Sequence, residues 1–309
     1  MHIGIIGSYA KALVMTTERI PKAGETLIGR NYRETFGGKG SDMAVQAARL
    51  GAEVTYIGVV GNDSFGSEFR ELLASEGIDS SLVRVTDSQP TGVGLIVKDK
   101  DAANVIVVDM GANGEFGRED IDANIEHLSK CDVVLAQLEI PLDTALYAMK
   151  RCKESGAITV LNPAPAVDLT QADLSAVDII TPNETEARVC VGLDPSDERD
   201  NKEIADILMR QGAGAVVMTL GSKGAAVFTP TLSAQIPPHS VAVVDSNGAG
   251  DSFNAGLCVA IGEQDSTVKD LVKAASFASA VGAMCCTEWE TIPSYHTREQ
   301  IDAFITAQA

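Results

Sequence analysis

Positive charge is scarce in this chain. Twenty-four lysines and arginines face 43 aspartates and glutamates, a net charge of −19 over 309 residues. That balance excludes a nucleic-acid or anionic-membrane partner, because both require a basic footprint. A phosphate must then be held locally, by backbone amides, a metal or a few lysines. Histidine is rare as well: the four present share no spacing, so neither a His-based triad nor a zinc site is supported. No apolar run reaches membrane-spanning length. The opening Met1-His2-Ile3-Gly4-Ile5-Ile6-Gly7 lacks the basic flank and long apolar stretch of a signal peptide. Cys131, Cys152, Cys190, Cys258, Cys285 and Cys286 form no CxxC pair, so buried free thiols in a reducing cytoplasm are expected. The first strand runs into Gly7-Ser8-Tyr9 without GxGxxG, which argues against a nicotinamide-dependent dehydrogenase.

Apolar residues make up 45% of the chain, ample for a buried core. The length suits one large α/β domain, alone or with a small appendage. Apolar β-rich runs at 2–6, 54–60, 133–138, 157–161, 177–181, 215–219 and 225–228 alternate with helical patterns at 41–50, 66–76, 143–155, 183–191, 201–211, 250–262 and 268–286. This rhythm predicts a central, mainly parallel sheet flanked by helices, with ligands outside the carboxyl ends of the strands. Segments 11–36 and 92–108 break it, with strand-like Glu25-Thr26-Leu27-Ile28-Gly29-Arg30-Asn31-Tyr32, Gly92-Val93-Gly94-Leu95-Ile96-Val97 and Asn104-Val105-Ile106-Val107-Val108. They are expected to form a separate small β-sheet lid over a body made of 1–10, 37–91 and 109–309.

The most informative stretch is Asp245-Ser246-Asn247-Gly248-Ala249-Gly250-Asp251-Ser252-Phe253, between a β-branched run at 241–244 and a helix-like segment. A strand turning through glycines into a helix leaves several N–H groups aimed at one spot, where the dipole adds positive charge. Asp251 falls in the first turn of that helix. An anion cradle beside a fixed base is what moving a phosphoryl group onto an alcohol requires, and the helix-start amides should keep Asp251 ionised near neutral pH.

Four other stretches each admit a plain reading. Gly37-Gly38-Lys39-Gly40-Ser41-Asp42 leads into a helix; it is either a glycine turn with Asp42 as cap or a place where a ligand meets backbone, Lys39 and Asp42. It is not a Walker loop, since no Ser or Thr follows Lys39. Thr181-Pro182-Asn183-Glu184-Thr185-Glu186 is either helix-start chemistry or a site for solvated magnesium near Asn183 and Glu186. Thr219-Leu220-Gly221-Ser222-Lys223-Gly224 is either a hairpin turn or a nucleotide contact. Glu139, closing the run 133–138, is either a surface acid or a site residue. Asn162-Pro163-Ala164-Pro165-Ala166 reads as structural.

These segments together resemble the ribokinase branch of the PfkB carbohydrate kinases, from Ile3 to about Phe304. Stretches 37–51 and 245–253 match the family signatures, and 138–139, 161–166, 179–186 and 219–224 are ribokinase-like. The resemblance implies ATP-dependent phosphorylation of a sugar-like hydroxyl, with Asp251 as base and the amides of Gly248, Ala249 and Gly250 as anion hole. It further implies Asn183 and Glu186 at the magnesium–phosphate region, and Thr219, Gly221, Ser222 and Gly224 at the nucleotide, with Phe277 and Ser279 near adenine. Gly38, Lys39, Asp42 and Glu139 fall on the sugar side. Asp245, Asn247, Cys285, Glu288, Glu290 and Ser294 fall at a potassium site, and the lid implies a homodimer.

Departures from the pattern bear on the acceptor. Where the family places an Asn and an Asp that hold sugar hydroxyls, this chain has Ala10 and Ala12; Asp42 replaces a third, usually Asn. Each lost charge-assisted bond is worth roughly 1.5–3 kcal/mol, so ribose itself is disfavoured. The family's Gly-Ala before the last proline is Glu290-Thr291. The rival readings are a nucleoside or phosphorylated-sugar kinase, the latter disfavoured by the acidic site, and a non-catalytic sugar sensor.

Overall fold

The computed structural model describes residues 1–99, 104–265 and 269–308. The chain opens with β1 (His2–Ile6), β2 (Ala10–Thr16), β3 (Arg30–Gly37), α1 (Lys39–Arg49), β4 (Glu53–Gly61), α2 (Ser64–Ser75) and β5 (Val83–Thr86). There follow β6 (Gly92–Lys98), β7 (Asn104–Asp109), α3 (Arg118–Leu128), β8 (Val133–Gln137), α4 (Leu142–Glu154), β9 (Ile158–Asn162) and β10 (Ile179–Ile180). The last part holds α5 (Glu184–Cys190), α6 (Asn201–Arg210), β11 (Ala215–Thr219), β12 (Ala225–Phe228), β13 (Ser233–Ile236), α7 (Ala249–Gly262), α8 (Leu271–Cys285) and α9 (Arg298–Gln308).

Nine strands form one sheet in the order β13-β12-β11-β10-β9-β8-β1-β4-β5, parallel except for the β11–β12–β13 meander. The central strands are buried on both faces, so successive side chains enter opposite cores. Val133 and Leu135 join Ile3, Ile5 and Val217 beneath α1, α7 and α8; Val134 and Ala136 join Ile6, Val216 and Met218 beneath α3 to α6. Burying one such side chain contributes about 1.5–3 kcal/mol. Helix α7 is buried along most of its length and carries Asp251, Ser252 and Asn254 only in its first turns; α8 packs close on it, since a methyl on Gly256 would stand 2.9 Å from the Val281 side chain.

The expected lid is present as a second sheet, order β3-β2-β6-β7, with β2 and β6 parallel. Its inner face carries Ala10, Ala12, Val14, Gly94 and Ile96, and registered neighbours share a face. Residues 100–103 of the expected lid and the start at 268 of the expected helix lie outside the described residues.

The sequence reading needs correction in several places. The strand expected at 25–32 is displaced: β3 starts at Arg30, and 17–29 contain no strand. The β-branched run before the glycine turn is not a strand. Val243 and Val244 are exposed there, and the Val244 amide donates to Cys286 O at the end of α8. Strand β10 shrinks to two residues because the Asp178 carboxylate accepts the Thr159 amide at 2.9 Å, replacing ladder pairing. Helices α3 and α9 and strands β5 and β13 were not anticipated. The six cysteines are free, as expected.

Candidate active site

Two helix starts converge on Asp251. Helix α7 begins at Gly248, the N-cap, whose φ of 78° is left-handed and whose added methyl would stand 2.7 Å from the Tyr295 hydroxyl. Only glycine meets both demands without strain. A methyl on Gly250 would meet nothing within 4 Å, so the turn opens into free space there. Of the three amides assigned to the cradle, Ala249 N–H already donates to Ser246 O at 3.3 Å. Asp251 follows in the first turn, 8% exposed.

Helix α1 supplies the other wall. Lys39, its first residue, places Nζ 3.7 Å from Asp251 Oδ1. The glycine run beside it serves packing more than ligand approach, since a methyl on Gly40 would stand 2.4 Å from the Ser8 amide nitrogen. Asp42 is not a cap: Gly38 occupies that position, and Asp42 is buried with Oδ1 lacking a hydrogen-bond partner. Glu139 lies two residues past β8 and ties the walls together. Its Oε2 accepts the Ser8 hydroxyl at 2.6 Å and the Lys39 amide at 2.8 Å.

Electrostatics bind these groups into one unit. Burial pushes the Asp251 carboxyl up to about 6; Lys39 opposes that rise, while Glu139 and Glu186 add to it. The helix-start amides therefore do not hold Asp251 in the ordinary carboxylate range, although it remains mostly ionised at neutral pH. Lys39 is held protonated, above all by Asp251. The Asp42 carboxyl is raised well above its usual value by burial first and by Asp251 second.

Asn183 and Glu186 form a reciprocal capping box at α5, Asn183 Oδ1 accepting the Glu186 amide at 2.8 Å and Glu186 Oε2 the Asn183 amide at 2.9 Å. The plain helix-start reading is thus correct, yet Glu186 still faces the same cluster, since its charge acts on both Asp251 and Lys39. Among the described residues no group of three or more His, Cys, Asp or Glu side chains is arranged to hold a metal. Thr219 ends β11 and bridges Asn183, while Gly221, Ser222 and Gly224 form the exposed β11–β12 turn. Ser279 is buried in α8, and the Phe277 ring is covered by the Arg298 guanidinium at 4.8 Å.

The residues expected at a potassium site are otherwise engaged. Asp245 Oδ2 lies 3.5 Å from Lys98 Nζ, and Glu290 Oε1 lies 2.8 Å from Arg33 Nε. Asn247 O accepts the Cys285 thiol at 3.4 Å, Cys285 Sγ lies 3.2 Å from Ser294 Oγ, and Glu288 faces His296. The sequence did not single out Ser8 and Gln137, whose side chains meet at 3.0 Å beside Glu139, nor Thr291 and Tyr295, which pack against Gly248. Only Ser8 had a signal, its place just after the first strand.

A helix-flanked parallel sheet with a β-lid and a glycine–aspartate turn at a helix start defines a sugar-kinase type of phosphotransferase. The description "pfkB family carbohydrate kinase" matches residues 2–298, and the chain belongs to that family. It is 36% identical to a ribokinase of Haemophilus influenzae over 97% of both chains, and 33% identical to a deoxyribokinase of Salmonella typhi over 99% of both. A solved Arabidopsis thaliana ribokinase complexed with ribose and ATP superimposes with a TM-score of 0.89 at 28% identity, covering 98% of each chain. The protein is an ATP-dependent carbohydrate kinase. Among its described residues, no helix is long and apolar enough to cross a membrane.

Proposed function

We propose that the protein transfers the γ-phosphoryl group of ATP to a hydroxyl of a small sugar-like acceptor that presents fewer polar groups to the lid than ribose does. The observation that carries this reading is Asp251: a buried carboxylate at a helix start, raised to about 6, next to a lysine. A base tuned toward the working pH accepts the acceptor's proton as its oxygen attacks phosphorus. The amides of Gly248 and Gly250, joined by that of Asp251, and the Lys39 ammonium then oppose the charge developing on the transferring group. Magnesium bound with ATP would offset phosphate charge, and Glu186, beside Asn183, would hold its water shell.

The acceptor is gripped at one end by Asp42, whose buried Oδ1 is unpaired and suits a hydroxyl donor, with Lys39 and Glu139 beside it. At its other end lies the inner lid face, where Ala10, Ala12, Val14, Gly94 and Ile96 offer no side-chain hydrogen bond and the polar groups, Thr35, Arg33 and Lys98, stand on the flanking register positions. A deoxygenated sugar, free or carried in a nucleoside, fits that contrast. The nucleotide is assigned to the turn of Thr219, Gly221, Ser222 and Gly224, with Ser279 nearer adenine than the covered Phe277. The lid's outer face exposes Leu95, Val105 and Val107 and suits a second copy of the chain. Sedimentation at twice the 32.4 kDa chain mass checks this.

The test is ADP release across pentoses, deoxypentoses, hexoses, sugar acids and nucleosides. Faster turnover with 2-deoxyribose or a deoxynucleoside than with ribose is expected. A clear preference for ribose would overturn the acceptor reading, and ATP binding without turnover on any acceptor would favour a sensor.

A further inference from the structure

The turn that feeds the helix α7 N-cap carries an acid, Asp245, whose neighbours are all supplied by the protein. Its carboxylate accepts the Asn247 amide at 3.1 Å, the Asn247 side-chain amide at 3.3 Å and the Glu290 amide at 3.3 Å. The remaining partner is charged: Lys98 Nζ, which also sits 5.7 Å from the centre of the Trp289 ring. Lys98 projects from the inner face of lid strand β6, and its side chain is 15% exposed. On the adjoining loop after α8, Glu290 holds a left-handed φ of 72°, unusual for a residue with a side chain, and its carboxylate meets Arg33 of lid strand β3. Two acids on these adjoining loops thus face two cations, both from the lid.

We propose that Lys98, assisted by Arg33, is the built-in cation of this loop. It takes the place of the monovalent ion the family resemblance implies and makes the enzyme independent of potassium. An added cation would meet an ammonium and a guanidinium already paired with the two carboxylates, and their positive charge opposes it even where backbone carbonyls are free to accept it. Asn247 is the residue before Gly248, so neutralising Asp245 fixes the turn from which the α7 amides project. Lys98 is a positioning residue: it acts on the anion hole through Asp245 and Asn247, and only while the lid lies over the body. This rests on the proposed anion hole at Gly248, Gly250 and Asp251.

The test compares melting curves of the Mg-ADP-bound protein in potassium chloride and in choline chloride at equal ionic strength. The wild type should melt alike in both. Lys98→Gln should acquire a potassium-specific rise of about 2 °C, the shift a newly bound ion at some ten times its dissociation constant would give. Lys98→Arg should behave as wild type. With the best acceptor of the panel, Lys98→Gln should lose about tenfold in turnover and regain it in potassium. A potassium-specific rise in the wild type overturns the proposal, as does a Lys98→Gln protein that loses turnover without potassium rescue, which would make the lysine a lid latch only. Failure of every acceptor would count against the reaction assigned above and leave the melting comparison readable.

Discussion

The ammonium of Lys39 lies 3.7 Å from Oδ1 of Asp251, joining the first residue of α1 to the first turn of α7. Neither group is free to act alone, because each holds the other in its charged form. If Asp251 is the base, Asp251→Asn keeps the shape and removes the proton acceptor. Turnover should fall by at least about 10², the usual range for general-base help being about 10²–10⁴. Calorimetric ATP affinity should stay close to wild type. Near-normal turnover in this variant would exclude Asp251 as the base.

The same pair sets a pH profile. With its carboxyl raised to about 6, Asp251 loses the ionised form as pH falls, so kcat/KM should drop tenfold per unit below about pH 6 and level off above 7. Lys39 pulls that value down, since a nearby positive charge favours the carboxylate. Lys39→Met should therefore shift the acid limb to higher pH, whatever it does to the plateau. A limb that stays put or moves to lower pH would assign the titration to another group.

Gly248 is constrained twice, by its φ of 78° and by the Tyr295 hydroxyl at 2.7 Å from any added methyl. Left-handed backbone costs a residue with a side chain about 1–2 kcal/mol, and the clash must be relieved by moving Tyr295 or the turn. Gly248→Ala should lower the melting temperature by a few degrees and reduce turnover more than it weakens ATP binding, because the amides aimed at the transferring group shift. Gly250→Ala, facing open space, should leave the melting temperature unchanged while obstructing phosphate. Equal effects of the two substitutions on melting would refute the close-packing account.

How much of this was legible in the sequence follows from where the information sits. Central strands buried on both faces print as unbroken apolar runs such as Val133-Val134-Leu135-Ala136, which no tertiary contact is needed to see. Helix α3 was missed because only Ile121 and Leu128 of its eleven residues are fully buried, too thin a stripe to stand out. The run at 241–244 misled because β-branched residues mark a strand only where an edge is available to pair, and here none is taken. Asp251, Lys39 and Gly248 were readable since their local turns define them. Tyr295 at Gly248 and Lys98 at Asp245 were not, as each contact joins segments well separated in sequence.

The lid's alanines give the sharpest test of acceptor choice. Ala10 and Ala12 lie on the inner face of β2, at the positions where the family resemblance implies an Asn and an Asp that hold sugar hydroxyls. Both positions belong to a strand registered between β3 and β6, so their side chains keep one face of the lid. Ala12 is the more enclosed at 8% exposure, so an aspartate there stays desolvated unless a hydroxyl meets it. The double variant Ala10→Asn with Ala12→Asp should raise kcat/KM for ribose by about 10- to 100-fold, one or two charge-assisted bonds at roughly 1.5–3 kcal/mol each less the burial cost. It should lower kcat/KM for the deoxygenated acceptor, which would leave the new carboxylate unpaired. Parallel kcat/KM measurements on D-ribose and 2-deoxy-D-ribose decide it. If both values move together, lid polarity does not select the acceptor, and the choice lies instead with Asp42 and Glu139 at the floor.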